Sequence, residues 1–472
     1  MPPSCPRTRA ARLGVLLAST LAVTLAAPAV HGRASGVEPA ASVTESQQRA
    51  KPIKVKVDPR LFGVHDYNLN SLSRRGTGSI RLWDAGTTWA DMQPTEGMAP
   101  DFTRLDQVVA KAWANHTEVT LVTAMTPPWA GLDPYVTALR TDMPDPAKYQ
   151  TYLAAVLARY QNYLGSGRPG IANLQVWNEA NVSASWTGTT AQMATLVKAA
   201  YDVRNQTDPQ VKLIAPALVA RLGYQKTWIK AFYAEKVSGQ PVWKYVDAIS
   251  FNLYPLDRYP SGSGTRPSTP EDSMALLAAA RVLLAKDKVP STIPIWDSEV
   301  NYGLTSGSNG GYAATPISTD LQVANVIRTY LLNAAQGVRR VHWYAYDMGN
   351  LPDVRGGGPL GNTLLTDPDD RAAGILTPAG LAFRRVQQWM AGTLVGTATK
   401  RPCIADKNGT YTCLVRYAKG VGRVYWNPYR TAKVTLATSA TKKIDEYGVS
   451  RTAKGGSRLK VGAKPVLVKS RR

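Results

Sequence analysis

Apolar and polar positions alternate in two distinct rhythms along most of this chain. Short β-branched runs predict strands at Leu61–Asp66, Ser79–Asp84, Glu118–Ala124, Ile171–Trp177, Val211–Pro216, Val246–Asn252, Ile293–Ser298 and Arg340–Tyr346. Between them, apolar residues recur at i, i+3 and i+4, which predicts helices over Phe102–Trp113, Pro146–Leu164, Thr190–Val203, Glu271–Leu284 and Leu321–Ala335. Asp145 before Pro146 supplies a helix N-cap followed by proline in the first turn. Strict alternation of strand and helix implies parallel strands joined by right-handed crossovers, and eight such units favour a closed barrel over an open doubly wound sheet.

The rhythm changes after a last helix near Pro378–Met390. Shorter alternating runs follow at Tyr411–Tyr417, Gly422–Trp426, Ala432–Leu436 and Arg458–Val468, separated by turn residues. The expected fold is therefore an α/β (β/α)8 TIM barrel over 53–392 with a small C-terminal antiparallel β-sandwich over 393–472, to which Ile53–Val57 adds a strand. Long Gly, Pro and Ser-rich stretches at Leu256–Pro270, Asn301–Pro316 and Asp347–Pro368 follow the sixth, seventh and eighth strands, on the face where such barrels meet ligands.

The first 29 residues read differently. Arg7, Arg9 and Arg12 precede the apolar run Leu13–Ala27 and the small residues Ala27-Pro28-Ala29, the pattern of a secretory signal peptide. A membrane anchor is the competing reading, but this run falls short of the ~20 residues that span a bilayer. Residues 30–52 are small and polar and read as a linker. A secreted protein is expected.

Charge changes the picture further. The formal net charge is +23, and it is unevenly placed: residues 393–472 hold 18 Lys or Arg against three acids, a balance of +15, whereas 53–392 balance to +4. Such a tail attracts polyanions, so an anionic cell-wall polymer or exopolysaccharide is an expected partner, against the plainer alternative of a solvated basic face. Nucleic acid is not expected, because no recognised binding motif accompanies the charge. Cys403 and Cys413 flank the turn Asp406-Lys407-Asn408-Gly409 and are a plausible disulfide closing a hairpin in an oxidising compartment. His31, His65, His116 and His342 are scattered and form no metal-ligand motif, so neither a metal nor another cofactor is expected.

Two predicted strands run into acids. Leu174-Gln175-Val176-Trp177-Asn178-Glu179 ends the fourth and Ile295-Trp296-Asp297-Ser298-Glu299 the seventh. A carboxyl after an apolar strand sits at the barrel mouth, where burial raises its pKa. An isolated glutamate there would more often cap a helix or pair with an arginine. Two across one pocket suit glycosidic cleavage, one protonating the leaving oxygen and the other meeting the positive carbon. Asp84, Asp297 and Asp347 are rivals near strand ends, Asp297 the most serious because simple alternation gives it the parity of Glu299.

The segments Trp177-Asn178-Glu179 and Trp296-Asp297-Ser298-Glu299 resemble glycoside hydrolase clan A, the retaining TIM-barrel glycosidases, over about residues 58–392, and the C-terminal sandwich resembles that of family 39 members, the family the chain is most like. The resemblance implies Glu179 as acid/base, Glu299 as nucleophile and carboxyls about 5 to 5.5 Å apart. It also implies that Asn178 binds the sugar 2-hydroxyl, that Arg81 keeps the nucleophile ionised, that Tyr254 orients it and that Trp343 is the sugar platform. Asn252 stands where many relatives place histidine. Trp129, Trp186 and His65 are further candidates for sugar contact, each as readily explained by packing. The rival from another class is a carbohydrate-binding barrel without turnover.

Overall fold

The computed structural model describes residues 51–73, 76–133, 140–256, 266–303, 317–348, 363–367 and 374–471. The signal-peptide reading, and the linker reading up to residue 50, lie outside the described residues, as do most of the three long loops. No helix among the described residues is long and apolar enough to cross a membrane.

Eight parallel strands close into a barrel: β1 Phe62–Asp66, β2 Ser79–Leu82, β3 Glu118–Val122, β4 Asn173–Gln175, β5 Lys212–Val219, β6 Ala248–Asn252, β7 Ile295–Val300 and β8 Val341–Asp347. The closing pair joins β8 to β1, with Val341 opposite Phe62 and Asp347 opposite Asp66. Each strand falls on an expected apolar run. These runs are buried on both faces, as parallel strands walled by helices must be; in β5 every residue after Lys212 is buried.

Among the described residues seven long helices wrap the barrel: α1 Thr103–Ala114, α2 Pro146–Tyr160, α3 Thr190–Thr207, α4 Gly223–Ala234, α5 Pro270–Lys286, α6 Thr319–Ala335 and α7 Pro378–Trp389. Asp145 caps α2 by accepting from the amides of Ala147 and Lys148, and Thr189 and Gln192 cap α3 reciprocally. The first crossover departs from the pattern. Between β1 and β2 the described residues form only a 3-10 turn, Ser71–Ser73.

Behind α6 lies the C-terminal antiparallel sheet, ordered Lys54–Lys56, Thr393–Val395, Tyr411–Tyr417, Gly420–Trp426, Val466–Ser470, Ala440–Ile444 and Ser450–Thr452, with Ile404–Ala405 paired to Tyr411–Tyr417. The expected N-terminal strand thus pairs with Thr393–Val395. The expected single run Arg458–Val468 is two strands. Pro465, which offers no amide, sits between Arg458–Val461, which pairs with Ala432–Thr435, and Val466–Ser470 in the main sheet. The two-stranded ribbon packs on the main sheet through Val461, Leu436, Tyr425 and Val468. Cys403 and Cys413 face each other across a hairpin, their sulfurs at bonding distance.

α6 is buried from Gln322 to Ala335 because it is enclosed between barrel and sheet. Its Arg328 pairs with Glu271 of α5, and Glu271 Oε1 also accepts from the Trp426 indole of the sheet at 2.7 Å.

Candidate active site

The strands deliver polar side chains to the barrel interior at every second position, so a few polar residues inside apolar runs meet there. Arg81 of β2 is the centre of the cluster and is 1 % exposed. Its Nε donates to Gln175 Oε1 at 2.6 Å, one terminal nitrogen to Asn178 Oδ1 at 2.8 Å, and the other to Glu299 Oε2 at 3.0 Å. Burial pushes the guanidinium below its ordinary value, and the charge of Glu299 is the largest effect opposing that.

Glu299 reaches the interior through a β-bulge. In β7, Asp297 is opposite Phe251 of β6, yet Glu299 is opposite Asn252, so one extra residue separates them. The bulge cancels the alternation on which the rivalry of Asp297 rested. Asp297 turns outward, accepts from Asn333 of α6 at 3.1 Å and is fully buried, which pushes its carboxyl well up. Glu299 turns inward, and its second oxygen accepts from the Tyr254 hydroxyl at 2.9 Å. Both oxygens of Glu299 are therefore held by donors.

Glu179 follows β4 with φ +47°, a left-handed conformation that costs a side-chain-bearing residue on the order of 1 kcal/mol. Its backbone is held there by the continuing ladder to β5, where Ala180 donates to Ala217. The half-buried carboxyl accepts from Asn252 Nδ2 at 3.1 Å. Burial, then the nearby charge of Glu299, raises its pKa above the usual glutamate range, against smaller pulls from Asn252, Arg221 and Arg81.

The orientation of Asn252 is itself fixed by a relay. Gln175 donates to Ser250 Oγ at 2.7 Å, Ser250 to Ser298 Oγ at 2.6 Å, and Ser298 to Asn252 Oδ1 at 2.7 Å. With its oxygen engaged, the amide must present nitrogen to Glu179. Asn252, which stands where many relatives place histidine, is fully buried and holds Glu179. Asn178 keeps its amide nitrogen without a protein partner among the described residues, while its oxygen is taken by Arg81.

The residue expected as the aromatic platform is enclosed in the core. Trp343 is 0 % exposed, lies in the core between barrel and helices, and donates its indole to the Thr363 carbonyl at 2.8 Å. Its neighbour Tyr344 faces the cluster instead, 5.0 Å ring to ring from His65, with its hydroxyl on Asp84. His65 is fully buried behind the cluster, where Nε2 donates to the Ser298 carbonyl at 3.0 Å, and it makes no exposed surface for a sugar. Trp129 has an edge against Trp89 and a face under the Lys148 ammonium, and Trp186 is buried against Trp177; none of these contacts reaches either glutamate. Asp84 is committed to His65 and Tyr344, and Asp347 accepts from Asn68 and Asn70.

Sequence reasoning missed Gln175, Ser250, Ser298 and Tyr344. The signal for the first three was present, since each is an uncharged polar residue inside a buried strand of a fold whose interior must be lined by alternate positions. Among the described residues no group of three or more His, Cys, Asp or Glu is placed to hold a metal ion.

A closed eight-stranded barrel with an antiparallel sheet behind it is a fold shared with solved glycosidases. The chain is similar to a glucosidase from Croceicoccus marinus, at 13 % identity and TM-score 0.60, covering 90 % of this chain and 97 % of that one. It is similar to a family 39 glycoside hydrolase from Bacteroides cellulosilyticus, at 16 % identity and TM-score 0.60, covering 88 % and 81 %. It is also similar to the family 39 enzyme of Xanthomonas axonopodis pv. citri, at 14 % identity and TM-score 0.55, covering 91 % and 99 %. No protein-family model and no curated protein sequence matches the chain.

Proposed function

We propose that this chain is a retaining glycoside hydrolase that cleaves O-glycosidic bonds by double displacement. One observation carries the reading: the two glutamates belong to a single hydrogen-bonded cluster yet occupy opposite environments. Glu299 has a donor on each oxygen, including a guanidinium, the setting of a carboxylate aimed and held for attack. Glu179 has one neutral donor and a raised pKa, the setting of a carboxyl that keeps its proton for a leaving group.

In the first step Glu299 attacks the anomeric carbon while Glu179 protonates the departing oxygen, giving a glycosyl ester on Glu299. In the second, Glu179 takes a proton from water, which attacks the same carbon and frees Glu299. Asn178 presents its free amide to the neighbouring hydroxyl of the sugar, where the contact strengthens as the ring flattens. The fold shared with the glucosidase and family 39 neighbours supports the same chemistry.

The substrate is a polysaccharide or cell-envelope glycan, and the protein is secreted. Support comes from the N-terminal basic, apolar and small-residue pattern and from the tail's +15 balance, which draws the enzyme to anionic surface polymers. The test is a panel of activated aryl glycosides and wall polysaccharides. The reading expects a burst of aryl release, a first-formed product with retained anomeric configuration by NMR, and loss of both in Glu299→Ala. Turnover surviving in Glu299→Ala, or an inverted product, would refute it.

A further inference from the structure

A cavity opens at the end of the barrel opposite the two glutamates. Its volume is about 920 Å³, and it is bounded by Ile249 and Ile295, at the N-terminal ends of β6 and β7, and by the strand Lys54–Lys56. The active-site cluster lies at the other ends of the same strands. Among the described residues five cationic side chains line the cavity, Lys54, Lys56, Arg281, Arg339 and Arg401, and no acidic residue does.

The gathering is built into the fold. Arg281, half-buried on α5, donates to Gln336 Oε1 at 3.2 Å and to the Gln336 carbonyl at 2.6 Å, which fixes its guanidinium against the turn after α6. The next residue, Gly337, has φ +78°, and a Cβ there would meet Arg401 Nη1 at 2.8 Å, so the glycine admits the second guanidinium. Burial, then the like charge of Arg401, pushes the Arg281 guanidinium below its ordinary value. None of the five makes an ion pair among the described residues, whereas Arg60, Arg159, Arg204 and Arg340 elsewhere on the barrel all do.

Like charges gathered around a cavity without counter-charge repel one another and are relieved by an anion. The lining has no aromatic ring, so neither a nucleobase nor the apolar face of a neutral sugar has a surface to stack on. The size is that of a site for a ligand of several rings. We propose that this cavity binds an anionic oligosaccharide, bearing carboxylate or phosphate groups, through Lys54, Lys56, Arg281, Arg339 and Arg401. The saccharide part rests on the glycosidase reading; the anionic part rests on the cavity alone. The site would hold an acidic glycan chain at a place remote from the bond being cut.

Calorimetric titration of the full chain at low salt tests this with tetragalacturonate, phosphorylated mannopentaose, neutral maltotetraose and tripolyphosphate. At least one of the two anionic glycans binds at one site per chain, the stronger of them naming the group recognised, and maltotetraose does not bind there. Arg339→Glu combined with Arg401→Glu, both exposed positions, weakens binding at least about tenfold, as expected for removal of close charge partners. Lys433→Glu combined with Lys460→Glu makes the same change of net charge on the two-stranded ribbon and weakens it less than about threefold, as expected for a screened distant charge. Equal losses in the two pairs, equal affinity for maltotetraose, or binding of tripolyphosphate without either glycan would overturn the proposal. Titration of Glu299→Gln separates the two readings: cavity binding kept with turnover lost supports both, and turnover present in the parent without cavity binding overturns only this one.

Discussion

The phenolic oxygen of Tyr254 lies 2.9 Å from Oε1 of Glu299 and is the donor in that contact. Burial, followed by the charge of Glu299, holds this phenol well above its ordinary pKa, so it remains a donor throughout the working range. Glu299 thus has a fixed direction as well as a fixed charge partner. Tyr254→Phe removes a hydrogen bond to a charged group, roughly 1.5 to 3 kcal/mol. The expected result is a fall in kcat of about ten- to a hundredfold on an activated aryl glycoside, with little change in thermal midpoint. An unchanged kcat would show that the contact does not orient the attacking oxygen.

Glu179 gives a prediction in pH. Its folded pKa is raised, by burial first and the charge of Glu299 second, while Asn252 pulls it down. Removing that donor in Asn252→Leu leaves the acid protonated to higher pH, so the basic limb of the kcat/KM profile moves upward. The same shift bears on stability. Between the unfolded and the folded pKa the native state binds more protons, so stability falls as pH rises through this window. Glu179→Gln abolishes that titration. Its thermal midpoint should match the parent near about pH 4, close to the unfolded glutamate value, and exceed it increasingly above. A constant difference between the two across pH would contradict the raised value.

The barrel was legible because its strands are buried on both faces, which writes each of them as a short apolar run that no amphipathic helix imitates. The two glutamates were legible for a related reason, as acids placed where such a run ends. Side-chain direction was not. Counting alternate residues gives Asp297 and Glu299 one face, and the bulge between them gives them two. In β8 the register also shifts between Trp343 and Asp347, and the residue turned toward the cluster is Tyr344. Insertions of one residue into a ladder leave no mark in hydrophobic periodicity, since apolar residues remain acceptable on both sides of the strand. The relay through Gln175, Ser250 and Ser298 was hidden differently. Short polar side chains in a strand read as tolerated exceptions until the strands around them are closed into a ring.

The different placements of Trp343 and Tyr344 lead to opposite expectations for their variants. Trp343 fills core space and satisfies the Thr363 carbonyl, so Trp343→Phe should lower stability by roughly 1 to 3 kcal/mol, with KM unchanged. Tyr344 packs beside His65 at the cluster, so Tyr344→Ala should raise KM by about two- to tenfold through loss of an aromatic contact to the sugar. Chemical denaturation and initial-rate kinetics on the same two variants decide the matter. The reverse pattern, a KM effect at Trp343 and none at Tyr344, would restore tryptophan as the platform.

The last prediction concerns the seam between barrel and sheet. Glu271 and Arg328 are both buried, their ion pair is closed by the Trp426 indole, and Arg328 also donates to Asn325 Oδ1 at 3.2 Å and to the Ala463 carbonyl at 3.4 Å. One charge pair therefore ties two helices of the barrel to two segments of the sheet. Removing a single partner leaves the other charge buried and unpaired, at a cost of about 3 to 5 kcal/mol, whereas replacing both by apolar residues of similar size removes the desolvation penalty as well. Arg328→Met should accordingly lower the thermal midpoint sharply, and Glu271→Leu combined with Arg328→Met should recover most of the loss. Trp426→Phe, which removes only the indole donor, should cost less, roughly 1 to 2 kcal/mol. If barrel and sheet unfold as one body, each variant shifts a single transition; if the seam is weak, Arg328→Met splits it into two. Differential scanning calorimetry distinguishes these outcomes, and a double variant no more stable than Arg328→Met would show that the pair is held by more than its own charges.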